Sequence, residues 1–332
     1  MKKLMSFMSI LLLCTGCANG GSAPTATEEP LPSSTPAPTA DPEVEKAATL
    51  YRALNSEKIT SVTEKITSEG SGDLYVERGD LYYEVAEELD ELEAYKLAYK
   101  DYLTAYYYEC EPENLSEKMI HIYDVLAEEA EENEDYSAAI DYINRINVLS
   151  PSEECRERLI PLVAKEHMQD ANQEIRNGYA NDLGEEDCYS ISKYDEKGYC
   201  YEIDMYTLDG TLVDTTTDIE YNDYGLLVRQ PSIDPDLKFT MYVIYEYDDF
   251  GCLLKKNTYY VPDNRELGHT EYEYDSLGRR KSYTTIDSYS GRVHSSTVYL
   301  YNSEGAAYGE DIYDGDGNLV FHTIYDEMKD NG

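Results

Sequence analysis

Two patterns of apolar and polar residues divide the chain. From residue 43 to about residue 178, apolar residues recur at intervals of three and four between acidic stretches, which places them on one face of α-helices. From about residue 179 onward, apolar and polar residues alternate in runs such as MYVIYEY and SSTVYLY, as in β-strands. The pattern predicts an α+β protein with two segregated regions: an array of α-helical hairpins followed by an antiparallel β-hairpin repeat domain.

One stretch of the helical half, residues 122–151, has a more specific spacing of contact residues. These are Tyr123, Leu126, Ala127, Ala130, Tyr136, Ala139, Ile143 and Pro151. Ala127 and Ala139 would let two antiparallel helices approach closely, and Pro151 would end the second helix because it has no N–H to donate. The set resembles a tetratricopeptide unit, and a plain helical hairpin is the alternative. The resemblance implies a surface that binds a peptide or protein, without catalysis.

A weaker copy of the opening half of this unit lies upstream, at Tyr75, Arg78, Gly79 and Tyr82. Together with helices expected between residues 43 and 67 and after Pro151, the copies predict about three hairpins. Three is near the minimum that buries a continuous core in such arrays.

The β-rich half repeats tyrosine followed four residues later by glycine. The pairs start at residues 194, 221, 247, 274 and 301, in steps of 26 or 27, with two more at 206 and 313. Asp or Asn after the tyrosine can bond the turn backbone, and glycine takes the positive φ of the turn. The series predicts a meander of about eleven strands. Its expected turn residues include Tyr221, Gly225, Tyr247, Gly251, Tyr274, Asp275, Gly278, Tyr301 and Gly305.

The segment YEYDSLGR, residues 272–279, resembles the YD repeat of the RHS type, which occurs in bacterial surface and toxin-shell proteins. The resemblance extends over about 150 residues, from Cys188 to the end. The period here is longer than in that family, and most copies lack the arginine. Other tyrosine-rich β-repeats are therefore the alternative, and in either case the tyrosines are expected to face a core.

The N-terminus has the pattern of an export signal. Lys2 and Lys3 precede an apolar run that ends at Cys17 and is too short for a transmembrane helix. The Leu-x-x-Gly-Cys ending resembles the lipobox of bacterial lipoproteins. This resemblance implies cleavage after residue 16 and acylation of Cys17, and cleavage without lipid is the alternative. Residues 17–42 are rich in Pro, Thr and Ser and predict a disordered stalk.

Charge and cysteine content limit the possible partners. With 68 acidic and 27 basic residues, the net charge of −41 disfavours binding to nucleic acid. Five cysteines follow Cys17, an odd number for an exported chain, and the predicted pair is Cys188 with Cys200.

Motifs for chemistry are sparse in the sequence. The histidines lie singly, and neither a phosphate loop nor a nucleophile elbow occurs, so no catalytic residue and no cofactor is expected. Asp314, Asp316 and Asn318 form a weak calcium candidate, because their alternating oxygens resemble the opening of a calcium loop.

These observations predict a lipoprotein anchored to the bacterial cell membrane and facing away from the cytoplasm. Residues 43–178 would form the helical domain and residues 179–332 the β-repeat domain. The expected function is non-catalytic binding of a protein or peptide partner, with the helical array supplying the groove. The alternative is a glycan or cell-wall binding module formed by the tyrosine-rich repeats.

Overall fold

A computed structural model describes residues 42–180, 186–232 and 238–325. The expected signal peptide, Cys17 and the stalk up to residue 41 lie outside the described residues. Within the chain, Lys46–Gly332 form one compact unit that contains both the helical and the β-rich regions.

The described residues begin with a helical array. Its seven helices are α1 Pro42–Leu54, α2 Glu57–Glu69, α3 Gly72–Leu89, α4 Leu92–Tyr107, α5 Leu115–Glu132, α6 Tyr136–Leu149 and α7 Glu153–Met168. Helices α3 and α4 pair as one hairpin, α5 and α6 as the next, and α7 packs on α6. None of the described helices has the length and apolar character needed to cross a membrane.

Side-chain caps fix two of the helix starts. The Asp135 carboxylate accepts a hydrogen bond of 3.1 Å from the Ala138 N–H, and the Ser152 hydroxyl accepts one of 3.2 Å from Cys155. Each cap satisfies an N–H that has no partner within its own helix. Pro151 lies in the short link between α6 and α7, where the sequence placed the helix stop.

The core of the array runs through both hairpins. Of the residues that suggested a repeat unit, six are buried: Tyr123, Leu126, Ala127, Ala130, Ala139 and Ile143. Tyr136 is partly buried and Pro151 is exposed. In the upstream hairpin, Gly79 faces the Tyr102 ring so closely that a Cβ there would lie 2.9 Å from Cε1. Small residues thus allow the helices to approach in both hairpins.

The β-rich region contains thirteen described strands in two antiparallel sheets. The four-stranded sheet contains β1 Glu174–Ala180, β2 Glu186–Tyr194, β3 Cys200–Thr207 and β4 Leu212–Thr216. The nine-stranded sheet contains β5 Glu220–Tyr221, β6 Leu227–Ser232, β7 Met241–Tyr247, β8 Leu253–Tyr260, β9 Arg265–Tyr274, β10 Arg280–Asp287, β11 Arg292–Tyr301, β12 Ala307–Asp314 and β13 Leu319–Ile324.

In both sheets, strands that are consecutive in sequence are neighbours, so the fold class and the antiparallel meander are confirmed. The expected number of about eleven strands was too low. The first strand begins at Glu174, before the boundary expected at residue 179.

The predicted disulfide between Cys188 and Cys200 is wrong. Neither cysteine forms a disulfide. Cys188 pairs with Thr207 at one end of the β2–β3 hairpin, whereas Cys200 pairs with Tyr194 at the other. At about 3.3 Å per strand residue, the two lie far beyond the Cα separation of about 7 Å that a disulfide tolerates.

Candidate functional site

The turn after β9 shows how the tyrosine–glycine spacing folds. The Asp275 carboxylate accepts hydrogen bonds from the N–H groups of Leu277, at 3.0 Å, and Arg279, at 2.9 Å. Gly278 adopts φ 74°, a conformation that favours glycine. Equivalent pairs of bonds form at Asp195, Asn222, Asp248 and Asn302. The side chain after the tyrosine therefore stabilises each turn locally.

The repeated tyrosines connect successive units of the nine-stranded sheet. The hydroxyl groups of Tyr247, Tyr274 and Tyr301 donate to the carbonyl oxygens of Leu227, Leu253 and Arg280, over 3.0, 2.8 and 2.7 Å. Each acceptor is at the start of a strand in the preceding unit, 20 or 21 residues earlier. These hydroxyl groups have a structural partner, which leaves them less suited to bind a glycan.

Five turns rest against the helices and form what we call the turn seam: residues 195–198, 222–225, 248–251, 275–278 and 302–305. Hydrogen bonds from helix side chains cross it at four of these turns. His167 Nε2 lies 2.9 Å from the Gly225 oxygen, the Asn147 amide donates to Phe250 over 3.0 Å, the Tyr123 hydroxyl to Leu277 over 2.8 Å, and the Thr104 hydroxyl to Ser303 over 2.9 Å. Successive turns of the 27-residue series thus contact α7, α6, α5 and α4 in reverse order of the chain.

Glycine in the seam has a second role besides its positive φ. A Cβ at Gly278 would lie 2.6 Å from the Arg145 carbonyl oxygen, and one at Gly305 would lie 2.5 Å from Leu103 Cδ1. The turns that end at Gly210 and Gly317 are at the opposite ends of their strands, and a Cβ at Gly317 would meet nothing within 4 Å. The two groups of turns seen in the sequence are therefore separated in space.

The seam changes where a partner can bind. It covers the face of α4 to α7 that carries Thr104, Tyr123, Asn147 and His167. This face is occupied by the protein's own turns, so the helical groove expected from the sequence cannot lie there. No feature of the sequence indicated this contact, because the tyrosine–glycine period does not specify what the turns pack against.

The last described strand, β13, is an exposed edge of the nine-stranded sheet. Its residues are exposed throughout, with Phe321 at 63%, Leu319 at 55% and Ile324 at 51%. The Tyr325 N–H donates 2.8 Å to the Tyr308 oxygen. Because N–H groups alternate in direction along a strand, the N–H of Ile324 points away from β12. Among the described strands, only β12 pairs with this edge, so β13 presents outward backbone donors and apolar side chains together.

Edge strands that stay unpaired usually carry charges, glycine or proline that discourage another strand from adding. The edge strand β1 of the other sheet has such residues in Glu174, Arg176 and Gly178. Strand β13 has none of these. Its only titratable group is His322, whose Nδ1 lies 2.6 Å from Asp311 Oδ1 on β12. Glu310 lies beside Asp311, so the strand next to this edge is acidic.

The calcium candidate forms an ordinary turn of the same kind as the others. The Asp314 carboxylate accepts from the N–H groups of Asp316, at 3.0 Å, and Asn318, at 2.9 Å, and from the Asn318 amide at 3.0 Å. The Asn318 side chain lowers the pKa of Asp314 by this bond, and the backbone bonds add to the effect. Within the described ranges, no three His, Cys, Asp or Glu residues are grouped so that they could hold a metal ion.

Comparison with known proteins gives little. No protein-family model and no curated protein matches the chain. Two crystal structures, TcdB2-TccC3-TEV and TcdB2-TccC3 without its hypervariable C-terminal region, each align at 14% identity over 46% of this chain, with a TM-score of 0.24. This chain covers 10% of the length of either.

A third structure, a protein with unknown function from Bacteroides fragilis, aligns at 14% identity over 48% of this chain and 96% of its own, with a TM-score of 0.19. Likeness at these TM-scores carries no argument about function.

Proposed function

We propose that the chain is a lipoprotein anchored by Cys17 to the bacterial cell membrane, outside the cytoplasm, which binds a protein partner without catalysis. The partner contributes an extended segment that pairs with β13. The exposed edge Leu319–Ile324 is the observation that carries the proposal.

Strand addition uses two features that β13 offers together. Outward backbone groups, such as the N–H of Ile324, supply hydrogen bonds to an added strand, and flanking side chains supply specificity. Phe321 and Leu319 are more than half exposed and would be covered by the partner's side chains. Burying such apolar groups contributes roughly 25 cal/mol per Å².

The negative charge of the chain favours a basic partner over a second copy of the same chain. The chain carries a net charge of −41, and β12 beside the edge contributes Glu310 and Asp311. Two copies would bring these acids together, whereas a segment that alternates apolar and basic residues would face them with opposite charge. The same charge opposes nucleic acid as a partner.

The test uses purified residues 43–332, which include the whole compact unit. A fluorescent peptide of alternating lysine and valine should bind, and a peptide of alternating glutamate and valine should not. Ile324→Pro removes an outward N–H but no bond to β12, and Phe321→Lys adds a repelling charge. Both substitutions should weaken binding at least tenfold.

The matched control is Leu254→Lys. Leu254 is 48% exposed, but it lies on β8, which pairs with strands on both sides. This variant should bind the lysine peptide as the parent chain does. Equal binding by the parent, Ile324→Pro and Phe321→Lys proteins would refute strand addition at β13. Retention of the chain on isolated cell-wall glycan, with no binding of either peptide, would favour the glycan alternative.

A further inference from the structure

One turn of the seam differs in sequence from the other four. The two residues that follow the turn glycine are Tyr199-Cys200, Leu226-Leu227, Cys252-Leu253, Arg279-Arg280 and Ala306-Ala307. Four units therefore place apolar or small residues at these positions, and one places two arginines. Packing alone does not require charged residues at these two positions, so Arg279 and Arg280 need another explanation.

Arg279 has a structural role. It is 5% exposed, its Nε donates 2.9 Å to the Asp275 carboxylate, and its guanidinium lies 4.1 Å from the centre of the Tyr301 ring. The positive charge and the Nε–H donor of Arg279 therefore both have partners, in Asp275 and the Tyr301 ring.

Arg280 differs from Arg279 in its exposure and in its lack of an acid partner. It is exposed, and no carboxylate of the described residues lies within 4.0 Å of its guanidinium, although the chain has 68 acidic residues. Its guanidinium lies 4.9 Å from the centre of the Tyr272 ring and 6.0 Å from that of Tyr299, and it also interacts with the hydroxyl groups of Tyr274 and Tyr299. The charge is held by aromatic faces and stays open to an anion.

Arg280 lines a cavity of about 440 Å³ between α6 and the start of the strands. The charged residues of its wall are Arg145, Arg279, Arg280 and Asp141, so cations outnumber anions here, opposite to the chain as a whole. Tyrosine side chains complete much of the wall. A cavity of this size, with a few polar groups among rings, is within the range of small-molecule sites.

Arg145 also lines this cavity. One of its terminal nitrogens lies 2.7 Å from the Asp141 carboxylate, and another donates 3.1 Å to the Tyr99 hydroxyl. Its Nε is buried and has no hydrogen-bond partner among the described residues. A buried N–H without an acceptor is unfavourable by about 1–3 kcal/mol, so the wall next to Arg280 contains a polar strain of its own.

We propose that this cavity binds a small organic molecule through an oxyanion group, a carboxylate or a phosphate. Arg280 pairs with the oxyanion, because a guanidinium presents two parallel N–H donors to two oxygens. Arg145 and Arg279 are already paired with Asp141 and Asp275, so Arg280 supplies the unpaired charge of the wall. The Tyr299 ring lies against the body of the ligand. The site contains no residue of β13, so this proposal is independent of strand addition at β13.

The test is calorimetric titration of residues 43–332 with glucuronate, glucose and inorganic phosphate. Glucuronate and glucose share a sugar ring and differ in the carboxylate. Binding of glucuronate alone supports a carboxylate site, and binding of phosphate supports a phosphate site. Binding of neither anion, or equal binding of glucose and glucuronate, would overturn the proposal.

Arg280→Gln removes the charge, and because Arg280 has no acid partner, the fold should be retained. Anion affinity should fall at least tenfold. The matched control, Arg265→Gln, changes an arginine whose side chain is 60% exposed and which begins β9 at the end remote from the seam. It should bind as the parent does. Unchanged affinity in Arg280→Gln would assign any bound anion to another site and refute this one.

Discussion

The hydroxyl of Tyr123 on α5 donates a hydrogen bond of 2.8 Å to the main-chain oxygen of Leu277 in a turn of the β-sheet, and both residues are 0% exposed. They are 154 residues apart in the chain. The bond therefore connects the core of the helical array to the core of the turn seam.

Tyr123→Phe should destabilise the protein by about 1–3 kcal/mol, because it leaves the buried oxygen of Leu277 without a donor while the ring still packs. Urea denaturation measures the change. Tyr289→Phe is the control, since Tyr289 is 95% exposed. Equal midpoints for the two variants would mean that the hydroxyl bond across the seam adds no stability.

Gly278→Ala should destabilise more than Gly317→Ala, although both glycines have positive φ, 74° and 83°. At Gly317 the methyl group is in open space, so only the backbone conformation is unfavourable, by about 1–2 kcal/mol. At Gly278 it also meets the Arg145 oxygen at 2.6 Å, which adds roughly 1–3 kcal/mol of overpacking. Thermal melts of the two variants compare them directly, and equal shifts would argue against close contact at the seam.

The local structure could be predicted because it depends on neighbours in the sequence. The interval between Tyr274 and Gly278, with Asp275 between them, specifies a turn by hydrogen bonds within five residues. Likewise, the small residues Ala127 and Ala139 indicate two helices in close contact.

The relation between the two regions could not be predicted in this way. The contact of Tyr123 with Leu277 depends on the match between the spacing of turns and that of helices, which no local pattern encodes. The exposure of β13 was equally hidden, since LVFHTI would also suit a buried strand. Only the two arginines after Gly278, at residues 279 and 280, are a visible departure from the other turns.

The pKa of Asp314 should rise towards its ordinary value of 3.8 in Asn318→Ala, because the Asn318 amide is the main cause of its lowering. A carboxyl whose folded pKa lies below the unfolded one stabilises the fold above the unfolded pKa. This contribution is lost as the pH falls through the folded pKa. Carboxyl NMR titration measures the change. Asp209, whose pKa is lowered by Thr207 in another turn, should be unaffected and serves as the control.

Cys17→Ser should release the protein from the membrane fraction of a bacterial host, because the acyl chains that hold a lipoprotein attach to this thiol. Cys14→Ser, which changes a neighbouring cysteine of the same signal, should leave the protein in the membrane. Fractionation and intact mass measure both effects. A membrane-bound Cys17→Ser protein would point to an uncleaved apolar anchor.

Ala139→Asp should unfold the β-sheet as well as the helices. Ala139 is 0% exposed on α6, so an unpaired carboxylate there is unfavourable by several kcal/mol. On α6, the Asn147 side-chain amide also donates a hydrogen bond to the Phe250 carbonyl oxygen in a turn, and Arg145 lies against Gly278. Hydrogen exchange should therefore show lost protection in β8 to β10 together with α5 and α6. Ser137→Asp, an exposed change in the first turn of the same helix, should leave protection intact. Strands that stay protected while the helices of Ala139→Asp exchange would show that the sheet folds without the array, and that the seam joins two independent structures.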